Sequence, residues 1–116
     1  MSDDLSAAEE TNIFRALADP TRRQILEDLR PGELTAGEIA ERFPISGPSI
    51  SRHLSLLRAA GLIRERRAAN RIFYSLVEDR IALCIGRFVS AVCPEQVLLR
   101  RRRPDADARK DPYETA

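Results

Sequence analysis

Residues 45–60 (ISGPSISRHLSLLRAA) combine hydroxyl, guanidinium and imidazole side chains with apolar side chains at helical spacing. At 100° per residue, Ile50, Leu54 and Leu57 fall on one narrow arc, where they would anchor a helix to a core. Hydroxyls and guanidinium groups bond the edges of bases and the oxygens of phosphates, and arginine commonly contacts guanine. The opposite arc holds Pro48, Ser51, Arg52 and Ser55. This segment therefore predicts a helix whose outer face fits the major groove of DNA.

The first turn of this helix offers a second kind of contact, because the N-terminal amides of a helix bind anions. The amides of Gly47, Ser49 and Ile50 are predicted to be available for a phosphate oxygen. Pro48 has no N–H to give. His53, the only histidine of the chain, lies at the edge of the apolar arc. Two roles stay open for it: its ring reaches a phosphate, or it packs as a hydrogen-bonded imidazole.

A basic hairpin is predicted directly after this helix. Residues 62–76 contain two stretches rich in β-branched and aromatic residues, joined by a short polar turn. Strand alternation puts Arg64 and Arg66 on one face, and Arg67, Asn70 and Arg71 surround the turn. Arginines on such a hairpin bind phosphates or a narrow minor groove. The alternative is that these charges are solvated and only discourage aggregation through the strand edge.

The charge of the chain is concentrated at these two elements. The whole chain has a formal net charge of +1, yet residues 46–76 hold six arginines against one glutamate, while residues 1–45 hold five basic and ten acidic side chains. Positive charge therefore collects where phosphates would be met. A lone polar helix face is more often merely solvated, but the basic hairpin beside it favours DNA binding. The predicted DNA contacts are Gly47, Pro48, Ser49, Ser51, Arg52, His53, Ser55, Arg66, Arg67, Asn70 and Arg71.

Apolar periodicity and capping residues predict the elements that position this site. Helices are predicted over residues 5–18, 20–29, 36–43 and 47–60, and from residue 78 onward. Asp19, Thr35 and Ser46 are predicted to cap the second, third and fourth helices, and Gly61 to end the fourth. The predicted fold class is mainly α with a small β-hairpin wing, a winged helix-turn-helix of order αααα-ββ-α.

The chain is long enough for one core, and residues 1–103 are predicted to form one domain. After Pro94, a short helix is predicted over residues 95–101. The arginine run at residues 100–103 is either a DNA-binding arm or a charged helix end. Residues 104–116 are polar and contain prolines, which predicts a disordered tail.

Helices 1 and 5 carry apolar faces that so small a domain would not fully cover. In the fifth helix, Ile81, Ile85, Phe88 and Val92 recur at i, i+4, i+7 and i+11 spacing. A symmetric homodimer that buries the faces of helices 1 and 5 together is the economical solution. The alternative is that helix 5 folds back on its own domain.

Several classes of function are disfavoured by the residue types present. No carboxylate pair, glycine-rich phosphate loop or nucleophile with a base partner is recognisable, so neither an enzyme nor a cofactor is predicted. No apolar run approaches membrane-spanning length, and the N-terminus (MSDDLSAAEE) is acidic where a signal peptide would be basic. We therefore expect a cytoplasmic protein with reduced thiols. A winged helix used as a protein-interaction module is the alternative, although it would favour an apolar or acidic outer face on helix 4.

Over residues 12–79 the chain resembles the ArsR family of bacterial dimeric winged-helix repressors, and within it the SdpR-like autorepressor branch. The resemblance rests on residues 14–26 (FRALADPTRRQIL), on residues 45–46 with 49–54 (IS, SISRHL), and on residues 56–63 (LLRAAGLI). It implies a homodimer that binds double-stranded DNA, represses transcription and releases its operator when a signal arrives. Neither the signal nor any small inducer is identified by these residues.

The chain departs from this family where metal-sensing members bind their ions. Many carry Cys-x-Cys in helix 3, but Thr35 and Gly37 stand at the matching positions, and helix 5 lacks the histidines of other zinc sites. Without those donors, neither metal site is expected. Cys84 and Cys93 would lie about 13 Å apart along one helix and on opposite sides, too far for a disulfide within it. They are either inert packing residues or, across a dimer or with the helix broken before Pro94, a thiol- or arsenical-sensing pair.

Overall fold

The computed structural model describes residues 4–97, and its element order is the predicted one with a short strand added. The helices are α1 (Ala7–Leu17), α2 (Pro20–Leu29), α3 (Ala36–Ala40), α4 (Gly47–Ala59) and α5 (Glu78–Val92). The strands are β1 (Leu34–Thr35), β2 (Ile63–Ala68) and β3 (Arg71–Leu76). This mainly helical chain with a small antiparallel sheet confirms the predicted winged helix-turn-helix.

Each of the first four helices begins at a side chain that accepts a hydrogen bond from a backbone N–H of its first turn. In α1 and α3 a glutamate three residues after the cap bonds the N–H of the capping residue in return, which completes a capping box. The helices α2 and α4 instead carry a proline in the first turn, where its missing N–H costs nothing. The caps are Ser6, Asp19, Thr35 and Ser46.

The end of α4 is fixed by Gly61, as predicted. Its N–H donates to the carbonyl of Arg58 at 2.9 Å, and the next N–H, of Leu62, donates to the carbonyl of Leu57 at 3.0 Å. This pairing requires the left-handed conformation that Gly61 adopts, with φ 78°. A Cβ on Gly61 would lie 2.5 Å from Nε of Arg80, so the glycine also makes room for a side chain of α5.

The sheet has three strands in the order β1-β3-β2, all antiparallel. The hairpin of β2 and β3 is the predicted wing. On the far edge of β3, Leu34 pairs with Tyr74 and Thr35 with Phe73. This third strand was not predicted, because two residues are too few to show the alternation that identifies a strand. It attaches the base of the wing to the start of α3.

The core lies among α1, α2, α3, α4, the hairpin and the start of α5. Its largest fully buried side chains come from nearly all of these elements, and burial of each isoleucine or leucine among them stabilises the fold by about 1.5–3 kcal/mol. They are Ile13, Ile25, Leu29, Ile39, Leu57, Leu62 and Cys84.

The predicted bounds of three helices differ from the structure, the fourth only by one residue, because it ends at Ala59 rather than at residue 60. The first helix spans Ala7–Leu17, where residues 5–18 were expected, because Ser6 caps it. The third helix ends at Ala40, short of residue 43. The N–H groups of Arg42 and Phe43 donate to carbonyls three residues back, at 3.0 and 3.3 Å, and Phe43 precedes Pro44, a position that disfavours the helical conformation.

The described chain forms two compact units, one up to Cys84 and one from Ile85 onward. In the second unit α5 continues to Val92, and residues 94–97 are helical again after a break at Cys93. The remainder of the predicted helix 95–101, the arginine run 100–103 and the tail 104–116 lie outside the described residues. The domain bounds 1–103 stay a prediction.

Candidate nucleic-acid interface

The fourth helix has the two faces that its sequence predicted. Ile50, Leu54 and Leu57 are buried and hold α4 against the core. The opposite face is exposed, and its side chains are short or hydrogen-bonding, without a large apolar group that would obstruct entry to a groove. The exposed predicted contacts on this face are Pro48, Ser51, Arg52 and Ser55. We call this set the outer face of α4.

The amides at the start of α4 are less available than predicted. Ser46 Oγ accepts a hydrogen bond from the Ser49 N–H at 3.2 Å and donates to Ser49 Oγ at 3.0 Å. The Ile50 N–H donates to the Ser46 carbonyl at 3.1 Å. The expectation that both amides are available was therefore wrong, since the cap and the first helical bond use them. Of the three predicted amides, only that of Gly47 makes no such bond to a described residue.

His53 occupies the flank of α4 that faces α2, not the outer face. Its side chain is 18% exposed, and Nδ1 lies 3.3 Å from Nη1 of Arg22 and 3.9 Å from Oδ2 of Asp19. The structure therefore gives His53 the role of a packed, hydrogen-bonded imidazole. Burial acts to raise the pKa of Asp19, but the hydrogen bond from the Arg22 N–H and the charge of Arg22 oppose it, and that pKa is lowered.

The tip of the wing brings three predicted residues together. The chain turns through Ala69 and Asn70, between Ala68 and Arg71, which pair across the hairpin. Ala69 has φ 55°, in the left-handed region that two-residue hairpin turns commonly require. Arg67, Asn70 and Arg71 are all exposed around this turn, so their polar groups are accessible to a phosphate backbone.

Arg66 is engaged by residues that the sequence did not identify. Its Nε and Nη2 donate to the two carboxylate oxygens of Glu33 at 2.9 and 2.8 Å, and its guanidinium lies 4.4 Å from the ring centroid of Phe73. This two-point bond lowers the pKa of Glu33 and raises the pKa of Arg66. Arg66 is thus already paired in the absence of DNA. Glu33 lies beside the wing because it directly precedes the strand β1, which the sequence did not predict.

Glu65 connects the wing to α4. Its carboxylate pairs with Arg58 of α4 and, at 3.3 Å, with Nε of Arg67 on its own strand. The Glu65 side chain is 16% exposed, so this three-residue chain is partly shielded from water. Burial, followed by the charge of Glu65, raises the pKa of Tyr74, which pairs with Glu65 across the hairpin. The ion pairs of Glu65 with Arg58 and Arg67 hold the wing beside α4.

Three arginines of α4 and the wing supply accessible positive charge. Arg52 on the outer face, Arg64 on the exposed side of β2 and Arg71 at the wing tip form no ion pair with a carboxylate of residues 4–97. All three are exposed. The arrangement therefore presents a polar helix and a basic hairpin tip side by side, which suits the bases and phosphates of a duplex.

The same range offers little for other kinds of site. Over residues 4–97 no group of three or more His, Cys, Asp or Glu side chains could hold a metal ion. Cys84 is buried, Cys93 is exposed, and neither forms a disulfide within these residues. Nor does any helix of this part of the chain have the length and apolar character needed to cross a bilayer.

Comparisons with known proteins agree with this geometry. A helix-turn-helix domain profile matches residues 17–66. The transcriptional repressor SdpR of Bacillus subtilis is 54% identical over 65 residues, which are 56% of this chain and 72% of SdpR. The biofilm growth-associated repressor of Agrobacterium fabrum is 37% identical over 93 residues, 79% of this chain and 80% of that protein. The crystal structure of an ArsR family transcriptional regulator superposes with a TM-score of 0.70 at 28% identity, covering 84% of this chain and 97% of its own.

A polar helix outer face beside a basic wing, with these relatives, defines a winged helix-turn-helix transcriptional regulator. The chain belongs to the ArsR family, as its resemblance predicted, and is a DNA-binding transcriptional repressor. These relatives are regulators of transcription rather than enzymes.

Proposed function

We propose that this repressor acts as a homodimer that inserts the α4 of each protomer into successive major grooves of a pseudo-palindromic operator. The two copies of α4 would then lie about 34 Å apart, one turn of the duplex. Ser51 and Ser55 bond base edges or phosphates, and Arg52 contacts a guanine through its two-point donor geometry. Arg67, Asn70 and Arg71 at the wing tip meet the phosphates or the minor groove.

The single observation that carries this proposal is the outer face of α4. It is exposed, its side chains are short or hydrogen-bonding, and it carries the guanidinium of Arg52. It lies next to the wing, which Glu65 connects to α4 through Arg58. A protein-interaction module would instead favour an apolar or acidic face at this position. The accessible charges of Arg52, Arg64 and Arg71 support binding to a polyanion, which should weaken steeply with salt.

Homodimer formation is supported by exposed apolar side chains on α1 and α5. Phe14 of α1 is 40% exposed, and Phe88 and Val92 of α5 are 53% and 60% exposed. Large apolar groups in water favour association that removes them from it. A second copy is the partner that a palindromic operator requires, since each half-site needs one α4 in the same orientation.

The test is a footprint on the DNA immediately upstream of the reading frame, combined with light scattering on the free protein. We expect a dimer that protects an inverted repeat and that discriminates it from random DNA. A monomer in solution and on DNA, or equal affinity for any sequence, would refute the proposal. The matched control is Arg52→Ala, which should retain the dimer and relax discrimination at one base position.

A repressor acts where the chromosome is, so we expect this chain to work in the cytoplasm. Sensing by the thiols of Cys84 and Cys93 is not part of the proposal, because Cys84 is only 1% exposed and buried thiols are generally inert. The thiol-sensing prediction can be tested separately by adding an arsenite to the reduced protein–DNA complex and measuring release.

A further inference from the structure

The side chain of Arg22, on α2, contacts both α1 and α4 near the C-terminal end of α1. The Nε of Arg22 donates to the carbonyl of Ala16 at 2.8 Å, and its Nη2 donates to the carbonyl of Arg15 at 3.1 Å. These carbonyls belong to the last turn of α1, where a helix runs out of N–H partners of its own. The carbonyl of Arg15 also accepts from the Ala18 N–H at 3.2 Å, so Arg22 adds a second donor there. The remaining nitrogen, Nη1, lies 3.3 Å from Nδ1 of His53 on α4.

The chemistry of this last contact fixes the state of the imidazole. An arginine side chain carries only donors and stays charged at all ordinary pH values. A hydrogen bond from Nη1 therefore requires a lone pair on Nδ1 of His53, so the ring proton must be on Nε2. Protonation of Nδ1 would replace this bond by repulsion between two cations.

Asp19 is the other charged group at this ring. Its Oδ2 is 3.9 Å from Nδ1, beyond hydrogen-bond reach, and accepts instead from the Arg22 backbone N–H at 3.1 Å. Two groups therefore face Nδ1. The Arg22 donor lies within hydrogen-bond distance, and the Asp19 carboxylate lies beyond it. The shorter contact favours the neutral ring with an N–H at Nε2.

We propose that Arg22 is a positioning residue for DNA binding, because it holds His53 in the Nε2–H tautomer and so fixes α4 against the end of α1. The inference rests on the proposed role of α4 in the major groove. Arg22 itself is not a phosphate contact in this proposal, since each of its three side-chain nitrogens already makes one contact within the protein. Loss of the contact would change the rotation of α4 about its axis and displace the outer face from the bases.

Arg23 supplies a matched control at the adjacent position. Its Nη1 donates to the carbonyl of Leu17 at 2.7 Å, so it too binds the end of α1 and carries one positive charge. This bond holds α2 to α1 and does not involve α4. A comparison of Arg22→Met with Arg23→Met therefore cancels the loss of charge and of one bond to α1. The contact with His53 is then tested separately by variants of His53.

The first experiment reads the tautomer directly by nitrogen-15 NMR of the full-length protein. His53 is the only histidine, so the imidazole spectrum contains a single ring without further assignment. For the neutral ring we expect the Nε2–H pattern in the native protein and in Arg23→Met, and a mixture of tautomers in Arg22→Met. An Nδ1–H pattern in the native protein, or no change in Arg22→Met, would overturn the proposal.

The second experiment measures operator affinity against salt. We expect Arg22→Met to bind about tenfold more weakly than Arg23→Met, with the same dependence on salt, because no phosphate contact is lost. His53→Asn, whose amide oxygen can replace Nδ1 as the acceptor, should restore most of the affinity that His53→Ala loses. Equal weakening by both methionine variants, a salt slope lowered by about one in Arg22→Met alone, or no rescue by asparagine would each contradict it.

The two experiments separate this inference from the proposed function. If the protein bound no DNA, the tautomer in the free protein would still test whether Arg22 controls His53. If DNA binding were confirmed and the tautomer did not depend on Arg22, the positioning role alone would fail.

Discussion

Glu33 and Arg66 form a two-point ion pair between the residue that precedes β1 and strand β2 of the wing, with N–O distances of 2.9 and 2.8 Å. The carboxylate occupies the same two donors that a phosphate oxygen pair would use. Arg66, a predicted DNA contact, therefore has an acidic competitor within the same chain. A DNA phosphate can use these two donors of Arg66 only by displacing Glu33.

Glu33→Gln should strengthen DNA binding. The neutral amide holds Arg66 less strongly and removes a negative charge beside the wing, so Arg66 becomes available to one more phosphate. We expect higher affinity for both operator and random DNA and a salt slope steeper by about one, measured by fluorescence anisotropy. In the background of Arg66→Ala most of this gain should vanish. Equal gains with and without Arg66 would show that Glu33 acts only as a general charge.

Arg52→Ala and Arg71→Ala should have different consequences for sequence preference. Arg52 lies on the outer face of α4, so its loss should relax the choice at one base position at a cost of about 1–3 kcal/mol. Arg71 lies at the wing tip, so its loss should weaken binding to every sequence and lower the salt slope by about one. Titrations with operator variants at several salt concentrations measure both. If Arg52→Ala weakened operator and random DNA equally, its assigned contact with a base would be wrong.

Ala69→Gly should stabilise the wing. Ala69 is held at φ 55°, which costs an L-residue with a Cβ about 1–2 kcal/mol and costs glycine nothing. We expect the free energy of unfolding in urea to rise by about 1 kcal/mol after the loss of chain entropy is deducted. The neighbouring variant Ala68→Gly lies within β2 and should destabilise by about 0.5–1 kcal/mol. Destabilisation by both glycines would mean that the turn is not strained at Ala69.

Gly61→Ala should destabilise the protein. The positive φ at the end of α4 disfavours a Cβ by about 1–2 kcal/mol, and the new methyl would also displace the Arg80 side chain. Gly32 has open space around its Cβ position and no positive φ, so Gly32→Ala should stay within about 0.5 kcal/mol of the native protein. Thermal unfolding of the two variants under identical conditions tests the difference.

Stability should fall in acid through the capping boxes. The hydrogen bond from the Ser6 N–H lowers the pKa of Glu9, and that from the Thr35 N–H lowers the pKa of Glu38, both below a reference value of 4.5. Because the folded-state pKa values are the lower ones, this stabilisation is present above pH 4.5 and is lost as the pH falls below it. Urea unfolding across this range measures the loss.

The variant Glu38→Gln tests this assignment, because glutamine can still complete a capping box but does not titrate in this range. Its free energy of unfolding should fall less steeply in acid than that of the native protein. The double variant with Glu9→Gln should be flatter still. An unchanged acid dependence in both would assign the loss to other carboxylates.

The two faces of α4 and the helix caps were predictable because both depend on residues close in sequence. Spacing of 100° per residue separates Ile50 from Arg52, and a cap needs only the side chain and an N–H three positions away. The prediction that Gly61 ends α4 also depended only on residues close in sequence. Most of the helix-turn-helix could therefore be inferred from the order of its residues.

The pairings within the interface could not be predicted in this way. Glu33 meets Arg66 across 33 positions, and Arg22 meets His53 across 31, so neither contact leaves a local pattern. Charge counting treated Glu65 as a minor offset to the arginines, whereas it binds two of them and connects the wing to α4. Such long-range ion pairs follow from the packing of strands and helices, which composition does not determine.

Thr35 belongs to two elements at once, since its backbone pairs with Phe73 of β3 while its hydroxyl caps α3 at 3.1 Å. The base of the wing and the first helix of the helix-turn-helix therefore share one residue and cannot pivot independently. We therefore expect operators whose groove width does not match this fixed spacing to bind more weakly, even when every contacted base is correct.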